Sequence, residues 1–165
     1  MGKLVLIRHG QSVYNVQNIF TGFTDVELSE QGVQDAKTVA SILTEKDITQ
    51  FSTVYTSWLR RAWDTLQIVL KELDHPETDI IRHPFLNERH YGELQGLNKD
   101  DMREKFGEEQ VHIWRRSYDV RPPNGASLED VVHRAVYYLT QEILPRVEAG
   151  ETVLVCAHGN SNRAM

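Results

Sequence analysis

The sequence contains a single cysteine, and this scarcity limits both its covalent chemistry and its redox environment. Cys156 has no partner for an intrachain disulfide, and it lies inside an apolar run from Val153 to Ala157. A thiol in such a run is expected to be buried and unreactive. Because disulfides are rare in reducing compartments and none can form here, we expect a cytoplasmic protein.

Long apolar runs are also lacking. The N-terminal segment carries only the short run Leu4–Ile7, which is too short for a signal peptide or a membrane-spanning helix. The 24 acidic side chains outnumber the 18 basic ones, for a formal net charge of −6. An acidic chain is not expected to have a general affinity for nucleic acid or for an anionic membrane. These absences favour a soluble protein whose partners are small molecules.

The composition that is present is typical of one folded domain. The chain has 165 residues, of which 40% are hydrophobic and 25% are charged. This length is enough to bury one core and short for two. We therefore predict a single domain over residues 1–165, without internal repeats or low-complexity tracts.

Short apolar runs alternate with helical patterns along the chain. The runs that predict buried strands are Leu4–Ile7, Thr53–Thr56, Val153–Cys156 and the less apolar Asp79–Arg82. Strands that alternate with helices favour a parallel sheet covered on both faces. The predicted fold class is therefore α/β, as a three-layer α/β/α sandwich with a mostly parallel central sheet.

Each of the three longest predicted helices follows a serine that could cap its N-terminus. These serines are Ser29, Ser57 and Ser127. Asp130 follows Ser127 at the spacing of a capping box. We expect the third helix to kink near Pro145 and to end at Gly150.

The stretch from about residue 84 to residue 125 has a different character, because it is rich in charge, glycine, asparagine and proline. We predict only short helices in it, at Asp100–Phe106 and Glu109–Tyr118. We interpret this stretch as a long excursion over the sheet edge, of the kind that serves as a lid or wall. The chain also stops at Met165, where a helix after His158 is expected to start, so we expect that a C-terminal part of the fold is missing from this sequence.

A histidine-glycine pair follows both the first and the last predicted strand. The pairs are His9-Gly10, preceded by Arg8, and His158-Gly159. If the two strands are neighbours, both imidazoles point into the crevice at the carboxyl edge of the sheet. A single histidine at such a position is more often an ordinary hydrogen-bonded residue, and a metal ligand is another alternative. The lack of HExxH or paired-cysteine spacing disfavours a metal site.

The motif Leu6–Ser12 resembles the signature of the histidine phosphatase superfamily, and a longer match resembles its cofactor-dependent phosphoglycerate mutase branch. The runs Glu88–Gly92 and Trp114–Arg116 are more specific to the mutases than the signature is. The matching positions cover nearly the whole chain: Leu6–Ser12, Asn15, Phe20–Gly22, Asp25–Ser29, Thr56–Ala62, Leu86–Gly92, Gln95–Lys99, Trp114–Tyr118 and Ala157–Ser161.

The resemblance implies that a phosphohistidine forms on His9. A neutral imidazole is a good nucleophile at neutral pH because its ordinary pKa is about 6.5. Arg8, Arg60 and a protonated His158 would surround the oxygens of the phosphoryl group. Glu88 would act as the general acid and base for the substrate oxygen.

The excursion carries seven basic residues, which stand out in an acidic chain: Arg89, Lys99, Arg103, Lys105, Arg115, Arg116 and Arg121. By analogy with the mutases, one set of residues would hold the distal phosphate and the carboxylate of 2- or 3-phosphoglycerate: Arg89, Tyr91, Lys99, Arg115 and Arg116. The remaining predicted binding residues are Ser12, Asn15, Thr21, Gly22, Gly159 and Asn160. The resemblance further implies 2,3-bisphosphoglycerate as the cofactor that primes His9, no metal, and a homodimer or homotetramer.

The predicted function is thus the interconversion of 3-phosphoglycerate and 2-phosphoglycerate in glycolysis and gluconeogenesis. Two alternatives stay open: a phosphomonoesterase of the same superfamily, and a non-catalytic module that binds phosphorylated ligands. The chain departs from the family pattern in its short connection over residues 121–126 and in Asn162, where an apolar residue is usual. These departures bear on water exclusion more than on phosphohistidine chemistry.

Overall fold

The first and last strands of the chain lie side by side in the sheet. A computed structural model, which describes residues 1–165, contains one parallel sheet of four strands in the order β1-β4-β2-β3. The strands are β1 (Lys3–Arg8), β2 (Thr53–Thr56), β3 (Ile80–Arg82) and β4 (Thr152–Ala157). Each predicted strand is confirmed to within one residue at either end.

Helices connect and cover these strands. They are α1 (Val13–Val16), α2 (Glu30–Glu45), α3 (Arg60–Glu72), α4 (Lys99–Phe106), α5 (Glu108–Arg116), α6 (Leu128–Tyr138), α7 (Leu144–Glu148) and α8 (Gly159–Ala164). Short 3₁₀ turns lie at Pro84–Leu86 and Gly92–Leu94. None of the helices combines the length and the hydropathy that crossing a bilayer requires.

Helices cover both faces of the central strands β2 and β4, which confirms the three-layer α/β/α sandwich. On one face, α2 and α3 pack against Val54 and Leu154, mainly through small and branched side chains such as Ala36 and Leu66. On the other face, the helical region that begins with α6 packs against Tyr55, Val153 and Val155. Successive strand residues thus feed opposite cores, as the two-residue period of a strand requires.

Two of the three predicted serine caps are confirmed. Ser29 Oγ accepts a hydrogen bond from the backbone N–H of Gly32 at 3.1 Å, and α2 begins one residue after it. Ser127 and Asp130 form the predicted capping box at the start of α6. These caps satisfy N–H groups that a helix N-terminus otherwise leaves without partners.

The prediction that Ser57 caps α3 is wrong. The residue that precedes α3 is Leu59, which offers no side-chain hydrogen bond. The carboxylate of Asp25, from a distant loop, accepts from the backbone N–H of Arg60 at 2.6 Å instead. Ser57 lies too far ahead of the helix, and its hydroxyl bonds to His158 Nε2 at 2.7 Å.

The helix after Ser127 is interrupted before the expected proline. A π-helical segment, Leu139–Ile143, separates α6 from α7, and Pro145 stands in the first turn of α7. Proline has no N–H to offer the preceding turn, and a wider turn relieves that mismatch. Gly150 has a φ of +99° and follows the helix, as predicted for a glycine that ends it.

The segment over residues 84–125 carries a small apolar core of its own. Met102 of α4, together with Val111 and Trp114 of α5, packs around Leu94 and Phe20. The two predicted helices of this segment are confirmed with slightly shifted ends, as α4 and α5. The separate core fixes these helices beside the carboxyl edge of the sheet.

Candidate active site

His9 and His158 extend two adjacent strands at the same edge of the sheet. Arg8 of β1 pairs with Ala157 of β4, so the two histidines are the next residues in register. The backbone N–H of His9 donates to Ala157 O at 3.0 Å. The two ring centroids are 5.0 Å apart with a tilt of 56°. The structure therefore brings together the two imidazoles that the sequence analysis paired.

The ring of His9 is held in the tautomer that a nucleophile needs. His9 Nδ1 lies 2.6 Å from Gly10 O, and a carbonyl oxygen only accepts, so Nδ1 carries the proton and Nε2 keeps its lone pair. Burial, followed by the charge of Arg61, lowers the pKa of His9 to about 3. The ring is thus neutral at physiological pH, and Nε2 is available for attack on phosphorus.

Glycine at position 10 is required by close packing of the backbone. A Cβ there would collide with the backbone of Gly32 at the start of α2. The backbone N–H of Gly10 also donates to Thr65 Oγ1 at 2.9 Å. These contacts fix the carbonyl of Gly10, and hence the orientation of the His9 ring.

His158 is wholly buried behind His9 and does not line the cavity. Burial, with Arg61 and His9 as the next causes, lowers the pKa of His158 well below its ordinary value. Burial and the neighbouring cations thus favour the neutral ring in this structure, and the protonated His158 implied by the resemblance stays a prediction for the phosphorylated state. Its Nε2 contacts Ser57 Oγ, and its Nδ1 has no hydrogen-bond partner.

A cavity of about 500 Å³ opens beside His9 and is lined almost entirely by polar residues. Eleven of the predicted site residues line it: Arg8, His9, Asn15, Thr21, Glu88, Tyr91, Lys99, Arg115, Arg116, Gly159 and Asn160. Four further residues complete the lining: Phe20, Arg61, Asn162 and Arg163. Six of these side chains are lysine or arginine and one is glutamate, so the cavity suits a compact polyanion.

The assignment of Arg60 to the phosphoryl site is wrong. Arg60 has a side chain that is 55% exposed, and it pairs with Glu27 and Asp64 on the outer face of α3. Arg61 is the arginine that lines the cavity, and it is only 2% exposed. In the structure Arg61 shares its helical face with Thr65, which is also buried.

Arg61 is anchored to the loop that precedes α2. Its two terminal nitrogens donate to Gly22 O at 2.8 Å and to Thr24 O at 3.1 Å. Gly22, predicted to bind ligand directly, therefore acts through its carbonyl and does not line the cavity. Burial lowers the pKa of Arg61 to about 10, which leaves the guanidinium charged at neutral pH.

Glu88 lies in the cavity on a segment that is tied at several points. Its Oε1 accepts from the backbone N–H of Arg89 at 2.7 Å. Its carbonyl accepts from Arg134 Nη2 at 2.8 Å, and Arg134 also donates to the carbonyl of Phe85. Arg134 was missed by the sequence analysis, although it falls in the buried stripe of α6 between Val131 and Tyr138.

Two other predicted binding residues support the cavity from outside it. Ser12 forms a capping box with Asn15 at the start of α1, which fixes the Asn15 side chain at the cavity. Arg89 is 1% exposed, donates to the carbonyl of Trp114, and lies 4.5 Å from the ring centroid of Tyr91. Direct contact of Ser12 or Arg89 with a ligand in this cavity is therefore not supported.

The polar residue at position 162 has a structural explanation. Asn162 Nδ2 donates to Ile7 O at 3.0 Å and so ties α8 to β1. Its neighbour Arg163 donates to Asn160 Oδ1 at 2.6 Å, which orients that amide at the cavity. The contact of Asn162 depends on tertiary packing, whereas that of Arg163 joins residues three apart within α8.

The chemistry of the donors is that of an anion site. Clusters of three or more histidine, cysteine or carboxylate side chains that could hold a metal ion do not occur in the structure. A neutral imidazole with a free Nε2, next to arginine and lysine donors, can instead accept a phosphoryl group and hold its oxygens. The fold and the site together define a phosphotransfer protein that works through histidine.

The chain belongs to the histidine phosphatase superfamily (branch 1), whose family pattern it matches over residues 4–165. It is 56% identical over 164 residues to a protein of Rhizobium johnstonii named 2,3-bisphosphoglycerate-dependent phosphoglycerate mutase. That match covers 99% of this chain and 77% of the relative. A protein of the same name from Parvibaculum lavamentivorans is 54% identical over 162 residues, which is 98% of this chain and 77% of that one.

Solved structures share the fold at lower identity. One titled mycobacterial hydrolase 1 has a TM-score of 0.83 and 29% identity, and the match covers 98% of this chain and 75% of that one. A mycobacterial glucosyl-3-phosphoglycerate phosphatase, solved with VO3, has a TM-score of 0.81 and 31% identity over 98% of this chain and 78% of its own. Identity is therefore higher to proteins named as mutases than to these solved structures.

Proposed function

We propose that this protein is a phosphoglycerate mutase that interconverts 3-phosphoglycerate and 2-phosphoglycerate, with 2,3-bisphosphoglycerate as its cofactor. The observation that carries the proposal is the neutral His9 ring, with Nε2 free, at the base of a cavity lined by six cationic side chains. The identity of 56% to a protein named as such a mutase supports the choice of substrate.

The cavity fits the charge of the cofactor. 2,3-Bisphosphoglycerate carries two phosphates and one carboxylate, and it supplies a phosphoryl group to His9. Arg8 and Arg61 would hold the phosphate nearest His9, because Arg61 is the main cationic influence on the pKa of that ring. Lys99, Arg115 and Arg116 would hold the distal phosphate and the carboxylate. The planar guanidinium of arginine can bind two oxygens of a phosphate or of a carboxylate at once.

In each half-reaction His9 carries the phosphoryl group and Glu88 carries the proton. When the substrate hydroxyl attacks the phosphorus on His9 Nε2, the new O–P bond forms as the N–P bond breaks. Glu88 takes the hydroxyl proton in that step, and the lone pair returns to Nε2. In the reverse sense, His9 attacks a phosphate and Glu88 returns the proton to the departing alkoxide oxygen. A transfer from His9 to the substrate hydroxyl, followed by a transfer to His9 from the other phosphate, moves the phosphate between the 2 and 3 oxygens.

A phosphomonoesterase is the second candidate function. The similarity to a glucosyl-3-phosphoglycerate phosphatase, at 31% identity, favours it. In that case, water would take the place of the substrate hydroxyl at the phosphohistidine. The cationic residues of α4 and α5 favour the mutase, because a mutase has to retain the bisphosphate while this ligand reorients in the site.

Labelling of His9 tests the proposal. Incubation with 2,3-bisphosphoglycerate should leave an acid-labile, base-stable phosphate on the protein, and His9→Ala should abolish it. Labelling that persists in His9→Ala would show that another residue is the nucleophile. Phosphorus NMR with 3-phosphoglycerate and catalytic bisphosphate then separates the two functions: isomerisation faster than phosphate release supports the mutase, and the reverse supports the phosphatase.

The setting of the enzyme completes the proposal. We infer a cytoplasmic location, supported by the glycolytic substrates and by the buried, unpaired thiol of Cys156. We also infer self-association, supported by the exposed aromatic rings of Trp58 and Tyr137 near the edge strand β3. Sedimentation analysis should give a species heavier than the monomer of 19.0 kDa; a monomer at assay concentration would contradict this part.

A further inference from the structure

One carboxylate close to His9 has no part in the reaction described above. Asp35 lies in the second turn of α2 and is partly buried. It borders a second polar cavity, of about 340 Å³, whose lining residues are Arg8, His9, Gly10, Gln11, Asn15 and Asp35. Because a carboxylate repels an anionic ligand, the contacts that Asp35 makes with the protein itself have to account for its position.

Both oxygens of Asp35 accept hydrogen bonds, which fixes the carboxylate in one orientation. Its Oδ1 accepts from Gln31 Nε2, one turn earlier on α2, at 3.0 Å. Its Oδ2 accepts from the backbone N–H of Gln11 at 3.0 Å. A hydrogen bond to an ionised acceptor is roughly twice as strong as one between neutral groups. The N–H of Gln11 is therefore held by a charge-assisted bond from a neighbouring helix.

The N–H of Gln11 and the carbonyl of Gly10 belong to the same planar peptide group. That carbonyl oxygen lies 2.6 Å from His9 Nδ1 and accepts its hydrogen bond. One peptide group thus connects the carboxylate to the ring, because Asp35 accepts at its N–H end and His9 donates at its oxygen end. Hydrogen bonds in such a chain polarise one another, so the negative charge of Asp35 makes the Gly10 oxygen a stronger acceptor.

We propose that Asp35 is a positioning residue that acts on His9 through the Gly10–Gln11 peptide, by orienting and polarising the carbonyl that holds Nδ1–H. The inference rests on the proposed function, because it assumes that His9 Nε2 attacks phosphorus. In that attack the ring keeps its proton on Nδ1 and gains a substituent on Nε2, so it becomes positively charged. A polarised carbonyl at Nδ1 stabilises this charge as it develops. Asp35 neither gains nor loses a proton in the step.

The charges at both ends of this connection agree with the inference. The hydrogen bond from Gln31, followed by that from the Gln11 backbone, lowers the pKa of Asp35, so the carboxylate is ionised at neutral pH. Burial and Arg61 lower the pKa of His9, whereas its hydrogen bond to the backbone carbonyl acts in the opposite direction. The carbonyl is therefore the contact that favours positive charge on a ring whose other surroundings oppose it.

The peptide is also fixed by contacts that do not involve Asp35. The backbone N–H of Gly10 donates to Thr65 Oγ1 at 2.9 Å, and the backbone of Gly32 lies so close that a Cβ at position 10 would collide with it. Asparagine at position 35 keeps an oxygen that can accept from the N–H of Gln11. Asp35→Asn should therefore fold as the parent does and remove only the charge.

NMR of the His9 ring tests the connection without substrate. In protein labelled with ¹⁵N at histidine, the signals of His9 are assigned by their loss in His9→Asn. The Nδ1–H proton should lie downfield in the parent and should move upfield in Asp35→Asn, because a neutral amide polarises the peptide less. An unchanged Nδ1–H shift overturns the inference even if the protein is an active mutase, so its failure is distinct from failure of the proposed function.

Kinetics test the consequence for phosphotransfer. In a single turnover, Asp35→Asn should slow the phosphorylation of His9 by 2,3-bisphosphoglycerate about three- to tenfold. The KM for phosphoglycerate should stay within about twofold of the parent, because the change falls on the nucleophile and not on substrate binding. A phosphorylation rate equal to that of the parent, or a rise in KM alone, would overturn the inference.

A second carboxylate of α2 provides the matched control. Glu30 lies in the first turn of this helix, is exposed, and lines neither cavity. Glu30→Gln removes one negative charge from the same part of α2 and should leave both the Nδ1–H shift of His9 and the phosphorylation rate unchanged. Changes as large as those in Asp35→Asn would assign the effect to the net charge of the helix and overturn the inference.

Discussion

The base and the wall of the cavity are built in contrasting ways. The base is the ring of His9, backed by His158; both rings are buried and are fixed by the pairing of β1 with β4. The wall consists of Lys99, Arg115 and Arg116 on α4 and α5, which are partly or fully exposed and cationic. The base serves bond making, which needs one neutral ring in one orientation. The wall serves recognition of a polyanion, which needs charge.

The two parts also rest on different cores. The base is supported by the large cores on both faces of the sheet, whereas the wall is supported by the small cluster around Phe20, Met102 and Trp114. Arg61 joins the two parts, since it is buried like the base and charged like the wall. The difference implies that substitutions in the base affect kcat and that substitutions in the wall affect KM.

The largest of the remaining effects is expected at Arg61. Arg61→Ala should lower kcat about 10²- to 10³-fold, because it removes a buried donor to the transferring phosphoryl group. Arg60→Ala is the matched control and should stay within about threefold of the parent, since its ion pairs are exposed. Steady-state kinetics on both variants measure the contrast. Comparable losses in kcat would mean that the side chain in the cavity has been misassigned.

An intermediate effect is expected in the wall. Arg115→Ala should raise KM for phosphoglycerate about 10- to 100-fold, with a smaller change in kcat, because it removes a charge-assisted hydrogen bond to the distal groups. Arg103→Ala is the control: Arg103 lies on α4 but pairs with Asp100 and does not line the cavity. Initial rates across a range of substrate concentrations give both constants. A fall in kcat alone would remove the distinction between base and wall.

The smallest effect, when taken for each pH unit, concerns the stability of the base against acid. The pKa of His9 is lowered to about 3 in the folded protein, whereas an unfolded histidine titrates near about 6.5. Between these values the unfolded state binds the extra proton, so stability is retained above about pH 6.5 and is lost as the pH falls towards 3. The loss attributable to His9 is about 1 kcal/mol per pH unit.

Denaturant unfolding of His9→Asn at several pH values measures this term. The variant should lose stability less steeply than the parent between about pH 6 and pH 4, because it has no ring to protonate on unfolding. His133→Asn, at an exposed position of α6, should follow the parent. If the free energy of unfolding depends on pH in the same way for the parent and for His9→Asn, burial of His9 does not contribute to the pH dependence of stability.

The sequence predicted the base and the wall better than it predicted their supports and the buried arginine that joins them. The strand ends that carry His9 and His158 follow from short apolar runs, and the caps at Ser29 and Ser127 follow from local spacing. Arg60 was chosen over Arg61 because the sequence does not show which of two adjacent arginines faces the interior. That depends on which face of the helix is buried. The structure identifies that face, because it buries Arg61 together with Thr65.

Contacts between distant segments could not be predicted from local patterns. The N-terminus of α3 is capped by Asp25 from another loop, which left Ser57 free for His158. Arg134 reaches from α6 to two carbonyls of the Glu88 segment. Such contacts depend on how elements pack, and propensity or spacing within one element carries no information about them.

The adjacency of β1 and β4 has a consequence for how activity arises during folding. The two rings stand side by side only after β1 and β4 have paired, and these two strands are far apart in the sequence. Contacts of this kind form slowly, because the entropy cost of ordering a long stretch of chain comes before the free energy that the contacts contribute. Recovery of phosphotransfer activity after dilution from denaturant is therefore a late, all-or-none signal that β1 has paired with β4.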